Sequence, residues 1–302
     1  MRRLGNLAAA TLISSLIASV SVAEATENGL TLWPQGVQTV ASAILPPPGG
    51  IEYYQYNLYY SASSFKNNKG QSLSPNIGVD FFGHADRLEY TWPTTYGNWN
   101  FSSQAIMTIG APTVQLDSHK QTNVGVTYLY FTPIQFTYNT PNFHLLIGEA
   151  AYIPVSSYDP TRFANASLNY YGFNQEIAVT WFPTPRWEVS AQANFTINGR
   201  NPATNYLSGA VFALDYGINY KPFENISNFQ VGLAGFVTEQ LSSDELAGLK
   251  IGNHIQAIGV GPQFIYYMTP AAAIVLKWQH AVFARNTTNG DRVWLEFAFP
   301  LM

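Results

Sequence analysis

Apolar and polar residues alternate along most of the chain after Gly50. The run Trp187–Asn198 is the clearest case, because every second residue from Trp187 is apolar and every residue between them is polar. Successive side chains of a β-strand point to opposite faces, so this run predicts a strand with one apolar and one polar face. The apolar face would meet a second sheet in a soluble sandwich, or lipid in an outer-membrane barrel.

Segments of this kind recur about twelve times, at the spacing of successive strands. They lie at 51–65, 77–91, 99–110, 124–136, 143–154, 168–182, 186–198, 204–220, 228–238, 252–268, 271–284 and 291–301. The second segment changes parity near Asp86, which predicts a β-bulge there. The last segment runs almost to Met302, as expected if the last strand pairs with the first and removes the sheet edge.

The connections between these segments alternate in length. Short, often proline-bearing connections such as 183–185 follow every second segment, and most of the others, such as 155–167, are longer. Aromatic residues cluster beside the short connections, as at Trp181 and Trp187. Short periplasmic turns, longer outer loops and aromatic girdles are typical of bacterial barrels. A soluble Greek-key sandwich has no reason to obey this alternation.

Two stretches precede the first predicted strand. Residues 1–25 contain an arginine pair, an apolar core and the small-x-small sequence Ala23-Glu24-Ala25, which predicts a signal peptide. The stretch 26–50 carries no charge after Glu27, unlike a solvated tail. We expect it to fold into the lumen as a plug of the barrel 51–302; the alternative is a disordered periplasmic tail. The plug candidates are Leu30, Leu32, Trp33 and Pro34.

Composition favours the membrane. Charged residues are 11% of the chain, against roughly 25% in ordinary soluble proteins, and aromatic residues are 15%. After the first two dozen residues, no apolar run reaches the roughly 18 residues of a membrane-spanning helix. The fold class predicted is therefore all-β, a transmembrane antiparallel barrel of about twelve strands in the bacterial outer membrane.

Charge and cysteine content exclude several functions. The net charge of −4 and the scattered lysine and arginine residues leave no basic surface for nucleic acid. The absence of cysteine excludes disulfides, thiol catalysis and cysteine-ligated metals. No cofactor is expected.

Several short motifs, in their order along the chain, resemble a known family. They are Leu58–Phe65 followed by Lys69-Gly70, Trp187–Ser190, Asn205–Gly209 leading to Asp215-Tyr216, Gly259–Pro262 and Phe297–Pro300. Together they resemble the outer-membrane channels associated with meta-pathway phenol degradation. The resemblance implies a twelve-stranded barrel, a lumen partly occluded by the N-terminal segment, and uptake of hydrophobic or aromatic small molecules.

Parity along the strands identifies charged residues that would face the lumen. These lumen-lining candidates are Asp80, His84, Asp86, Glu176, Glu188, Asp215, Lys277, Arg292 and Glu296, joined by Arg87 and Glu89 if the bulge forms. They would build a selectivity constriction, or form internal ion pairs that merely satisfy a polar interior. A metal site is not expected at Asp80, His84 and Asp86, which spread over roughly 20 Å of one strand.

Two alternatives to a channel remain open. An outer-membrane hydrolase would need a serine and a histidine within hydrogen-bond reach, and no His-x-Ser lies on a predicted strand; Ser118-His119 lies in a loop beside Asp117. A secreted soluble β-sandwich binding protein is the other. The sequence favours a monomeric, non-enzymatic channel for passive uptake, whose partners are outer-membrane lipid and a small hydrophobic or aromatic substrate.

Overall fold

A computed structural model describes residues 26–73, 77–226, 228–252 and 254–302. The predicted signal peptide lies outside these residues. One short 3-10 turn, Glu27–Gly29, precedes seventeen strands. The strands are β1 (Ile51–Phe65), β2 (Ile77–Tyr96), β3 (Trp99–Leu116), β4 (His119–Thr122), β5 (Gly125–Asn139), β6 (Phe143–Ile153), β7 (Gly172–Thr184), β8 (Trp187–Asn198), β9 (Arg200–Asn201), β10 (Tyr206–Leu207), β11 (Val211–Tyr220), β12 (Phe229–Gln240), β13 (Asp244–Leu246), β14 (Leu249–Ile251), β15 (Gln256–Thr269), β16 (Ala272–Arg285) and β17 (Thr288–Pro300). Among the described residues, no helix has the length and hydropathy needed to span a bilayer.

Twelve long strands close into one antiparallel ring. The sheet runs β2-β1-β17-β16-β15-β12-β11-β8-β7-β6-β5-β3-β4, and β2 also pairs with β3. Of these thirteen strands, β4 is a four-residue hairpin extension of β3, which leaves twelve in the ring. The seam between β1 and β17 runs from Glu52 opposite Pro300 to Phe65 opposite Thr288. The predicted twelve-stranded barrel is confirmed.

Long and short connections lie at opposite ends of the barrel. The turn between β7 and β8 is two residues long, whereas residues 154–171 join β6 to β7 at the other end. The short strands β9, β10, β13 and β14 form a second sheet among the long loops. Short turns face the periplasm in bacterial barrels, so the long loops face outward.

One outer connection is tighter than its sequence suggests. Only residues 286–287 join β16 to β17, where the sequence predicts a longer loop at 285–290. Asn286 has a φ of 50° there, and asparagine tolerates this left-handed conformation better than most residues do. A left-handed asparagine therefore allows a tight hairpin.

Burial along the strands is inverted relative to a soluble protein. On β8 the polar residues Glu188, Ser190 and Asn194 are 2%, 0% and 1% exposed, whereas Trp187 and Ile197 are 42% and 51% exposed. Exposed apolar and buried polar faces are what a closed barrel needs in lipid. The soluble sandwich, whose apolar faces would be covered, does not fit this arrangement.

Aromatic pairs border the short-turn end of the barrel. The ring centroids of Trp99 and Tyr138 lie 5.2 Å apart, and those of Trp187 and Tyr220 lie 4.6 Å apart. Such amphipathic rings settle at the headgroup level of a bilayer. They mark the inner boundary of the apolar band.

Replacing Ala191 by arginine is expected to impair barrel assembly. Its side chain lies on the outer face of β8, and a charge near the bilayer midplane costs roughly 2–4 kcal/mol. The same charge one residue further on, in Gln192→Arg, would face the lumen beside Glu176, whose Oε2 now accepts a 3.1 Å hydrogen bond from Gln192. Heat-modifiable migration on SDS gels measures the folded fraction, with Ala191→Leu as the size control. Equal folding of the two arginine variants would contradict this orientation.

Candidate functional site

The residues 26–50, here called the inner segment, descend through the barrel interior. At the long-loop end, Thr204 Oγ1 donates to Glu27 Oε1 over 2.7 Å. At the short-turn end, the Gly49 N–H donates to the Thr91 carbonyl over 2.9 Å. Between these ends, the segment contacts inward-facing side chains of strand after strand. The segment thus spans the lumen from the outer mouth to the periplasmic end.

Asp215, on β11, is the central attachment point of the inner segment. Its carboxylate accepts hydrogen bonds from Trp33 Nε1 (3.0 Å), the Gly36 N–H (2.6 Å) and the Gln38 N–H (3.1 Å). The Asp215 side chain is fully buried. Because the inner segment has no strand partner here, the carboxylate supplies the acceptors that its backbone N–H groups require.

Other polar side chains continue this attachment along one side of the lumen, here called the polar wall. Lys277 Nζ donates to the Val37 carbonyl over 2.6 Å, and Glu188 Oε1 accepts from the Ala41 N–H over 2.8 Å. The remaining contacts are Arg292 with Gln35, Gln279 with Gly36, Gln263 with Thr39, and Thr180 with Ala43. These side chains come from β7, β8, β11 and β15 to β17.

The opposite side of the lumen, here called the apolar wall, is built by β1 and β2. It consists of the inward residues Tyr56, Leu58, Tyr60, Ala62, Val79, Phe81 and Ala85, which form one cluster with Trp33 and Val37 of the inner segment. A second cluster joins Leu32 to Tyr130, Tyr152 and Tyr170. The lumen is therefore apolar along this part of β1 and β2, whereas the inward Arg87 and Glu89 make β2 polar nearer the short-turn end.

The sequence prediction for the first part of β2 is wrong. Asp80, His84 and Asp86 pair with Ser61, Asn57 and Gln55 of β1 in an unbroken register, on the face opposite to the inward Tyr56 and Ala85. These three residues therefore point outward. The bulge expected near Asp86 is absent from this register, and Arg87 and Glu89 face inward without it.

Local hydrogen bonds explain how polar groups persist on the outer face of β2. His84 Nδ1 lies 2.9 Å from Asn57 Oδ1, and His84 Nε2 lies 3.2 Å from Asp86 Oδ2. The hydroxyl groups of Tyr53 and Tyr59 donate to Asp86 and Asp80. Each of these polar groups has a partner on the outer wall itself, so none has to turn inward.

The other charged candidates are buried among lumen partners. Arg87 and Glu89 form an ion pair of 2.7 Å, and Lys277 and Glu296 form another of 2.7 Å. Glu176 accepts hydrogen bonds from Gln104, Tyr130 and Gln192. Arg292 lies over the rings of Tyr60 and Phe236. These groups satisfy one another as well as the inner segment.

The plug candidates divide by depth. Leu32 and Trp33 are buried, Pro34 is half-buried, and Leu30 is exposed near the outer mouth. Thr180, Gln263 and Gln279 were not identified from the sequence as contacts of the segment, although each is a polar residue at an inward position. Because these side chains are uncharged, the sequence indicates only that they face the lumen and not that they bind the inner segment.

Hydrolytic chemistry finds little support in the geometry. His119 begins β4 and is exposed. Ser243 Oγ lies 3.5 Å from His254 Nε2 in the outer loops, at the outer limit of a hydrogen bond. The nearby Glu239 carboxylate accepts two 2.8 Å hydrogen bonds from Gln256, rather than orienting the imidazole as a catalytic carboxylate would. The described residues contain no group of three or more histidine and carboxylate side chains placed to hold a metal ion.

Comparison with known proteins supports the same architecture. The family model "Putative MetA-pathway of phenol degradation" matches residues 62–297. The crystal structure of an outer membrane channel from Pseudomonas putida F1 superimposes with a TM-score of 0.76 at 13% identity, covering 89% of this chain and 100% of that chain. The β domain of the Bordetella autotransporter Brka gives a TM-score of 0.52 at 9% identity, covering 84% and 99%. At these identities the two structures share the fold alone. No curated protein matches the chain.

Replacing Arg87 by methionine is expected to destabilise the barrel by about 3–5 kcal/mol, because it leaves the buried Glu89 carboxylate without its cation. The double variant Arg87→Met with Glu89→Leu should recover most of this loss. Arg162→Met, which breaks an exposed pair with Asp159, should change stability little. Urea unfolding in lipid vesicles, followed by tryptophan fluorescence, measures the difference. A loss no larger than that of Arg162→Met would show that the buried pair is unimportant.

Proposed function

Because the chain belongs to the family of the MetA pathway of phenol degradation, we propose that it is a passive outer-membrane channel for small hydrophobic or aromatic molecules. The observation that carries this function is the apolar wall of the lumen. A channel for hydrophilic solutes lines its constriction with charged side chains. Here the charged side chains of the polar wall are engaged by the inner segment or by one another, and Tyr56, Leu58, Tyr60 and Phe81 line the side of β1 and β2.

The apolar wall suits an aromatic solute in two ways. Leu58 and Phe81 offer apolar contact area, which favours transfer of a hydrophobic molecule out of water. The tyrosine rings add edge-to-face or offset contacts and carry a hydroxyl that can bond a phenolic group. We therefore propose two apolar partners for this chain, namely the lipid around the barrel and the substrate inside it.

The inner segment is proposed to act as the lumen plug. Its hydrogen bonds to the polar wall hold it in place, while Trp33 and Val37 pack against the apolar wall. Displacement of Trp33 and Val37 from the apolar wall would widen the path there, and it would break the hydrogen bonds that Trp33 makes with Asp215 and Val37 with Lys277. The same proposal includes export by a signal peptide at 1–25, a monomeric state and the absence of a catalytic step.

Asp215→Asn is expected to raise single-channel conductance. Asparagine presents one acceptor oxygen and an NH₂ group to the three N–H donors that now bind the carboxylate, so the inner segment loses its central attachment. Planar-bilayer recordings measure the effect. Asp80→Asn, on the outer face, is the matched control and should conduct as the unmodified protein does. Deletion of residues 26–45 should give the largest conductance, and an unchanged conductance in that variant would contradict the plug.

Leu58→Glu is expected to reduce uptake of aromatic compounds by about tenfold or more, since burying a leucine side chain contributes roughly 1.5–3 kcal/mol. Leu58→Met keeps volume and apolarity and should retain uptake. The assay is accumulation of radiolabelled phenol and toluene in cells that lack the native gene and carry each variant at equal folded amount. Equal uptake by both variants would mean that solutes bypass the apolar wall.

A further inference from the structure

The outer end of the inner segment is buried deeply among the long loops. Thr26 is 0% and Glu27 is 7% exposed, although they lie next to the predicted signal peptide. The Glu27 N–H donates to Ser208 Oγ over 3.1 Å, and Thr287 Oγ1 donates to the Gly29 carbonyl over 2.9 Å. This end of the segment is therefore attached as closely as its middle.

Asp244, at the start of β13, lies beside Thr26. Its carboxylate accepts hydrogen bonds from the Tyr206 hydroxyl (2.6 Å), the Gly209 N–H (2.6 Å) and Gln240 Nε2 (2.7 Å). The backbone N–H of Thr26 also donates to it. All four donors are neutral, and the Asp244 side chain is 0% exposed. Burial raises the pKa of Asp244 and these hydrogen bonds oppose the rise.

Among the described residues, no lysine, arginine or histidine side chain forms an ion pair with Asp244. Arg200 is paired with Glu245 over 2.9 Å. Glu27 is itself a buried carboxylate, held by neutral donors from Asn201 and Thr204. Two buried carboxylates at the outer mouth without a cation between them are costly.

We propose that Asp244 is the binding site for the α-ammonium group that is created when the signal peptide is cut between Ala25 and Thr26. Hydrolysis of that peptide bond leaves a carboxylate on Ala25 and converts the Thr26 amide nitrogen into a primary amine, which is protonated at neutral pH. The Thr26 nitrogen lies at Asp244 in the folded barrel, so the ammonium group of the processed chain would occupy the same position. Its hydrogen bond to the Asp244 carboxylate, which is charge-assisted on the acceptor side alone before cleavage, then becomes an ion pair in which both partners are charged.

The backbone conformation of Thr26 also favours the processed chain, from which the signal peptide has been removed. Its φ is 51°, in the left-handed region that β-branched residues avoid. The angle φ is set by the preceding carbonyl carbon, and cleavage removes that group. The strain therefore exists only while a peptide bond precedes Thr26.

Removal of the signal peptide would in this way fix the outer end of the inner segment. The precursor brings a strained threonine and no cation to Asp244, whereas the processed chain brings an unstrained ammonium group. The proposed site requires only the folded barrel and removal of the signal peptide, so it does not depend on which molecules the channel conducts.

The first test measures the reactivity of the α-amine. Intact mass must show that the mature chain begins at Thr26, and any other start overturns the assignment. The purified, folded barrel is treated at neutral pH with an amine-reactive ester, and labelling is mapped by peptide mass spectrometry. Thr26 should react roughly ten- to a hundredfold more slowly than in Asp244→Asn, the factor that a hydrogen bond to a charged group supplies. Glu245→Gln, at the neighbouring carboxylate, should leave the amine protected.

The second test moves the positive charge. Insertion of Gly-Ser between Ala25 and Thr26, with cleavage after Ala25 verified by mass, keeps the Thr26 N–H but makes it a neutral amide again. Proteolysis of the inner segment in the folded barrel should then be at least as fast as in Asp244→Asn, because the insertion removes the ammonium group and also restores the peptide bond that strains Thr26. Combining the two changes should accelerate proteolysis by less than the product of the two single effects, because both remove the same ion pair. An amine equally reactive in the unmodified protein and Asp244→Asn, or additive effects of insertion and Asp244→Asn, would overturn the site.

Discussion

Hydrocarbon offers no partners for backbone N–H and C=O groups, and the whole architecture follows from that constraint. A sheet can satisfy them only by closing on itself, which β1 and β17 accomplish along almost their full length. Closure fixes one face of every strand toward lipid and the other toward the lumen. The inverted burial of β8, with Glu188 hidden and Trp187 exposed, is the direct result.

The same constraint explains why the lumen is polar on one side. The inner segment has no regular secondary structure over most of its length, and such backbone is tolerated at membrane depth only when protein groups satisfy it. Asp215, Glu188 and Lys277 provide acceptors and donors for it. The polar wall and the segment are thus complementary, while the apolar wall of β1 and β2 contacts the segment through the side chains of Trp33 and Val37.

Much of the fold could be read from period-two alternation, because that pattern is imposed by lipid on nearly every strand. It gives the strand count, while the lengths of the connections and the placement of aromatic residues give the short periplasmic turns and the aromatic belt. The rule fails at β2, since it assumes that polar residues point inward. His84 and Asp86 instead find partners such as Asn57 and Tyr53 on the outer wall, while Phe81 packs inside. The contacts of the inner segment were beyond prediction, because an irregular path has no period that would assign Thr180 or Gln263 to a particular backbone group.

The path of the inner segment joins parts of the barrel that are far apart around the ring. Gly50 enters β1 beside Met302, at the seam between the first and last strands, while Glu27 is enclosed by loops at the far end. Between these ends the segment is hydrogen-bonded to Asp215 of β11, Glu188 of β8 and Thr180 of β7. The chain therefore connects β1 to strands across the lumen as well as to its neighbours in the sheet, so the cross-section of the barrel is held by contacts through its interior in addition to those around its wall.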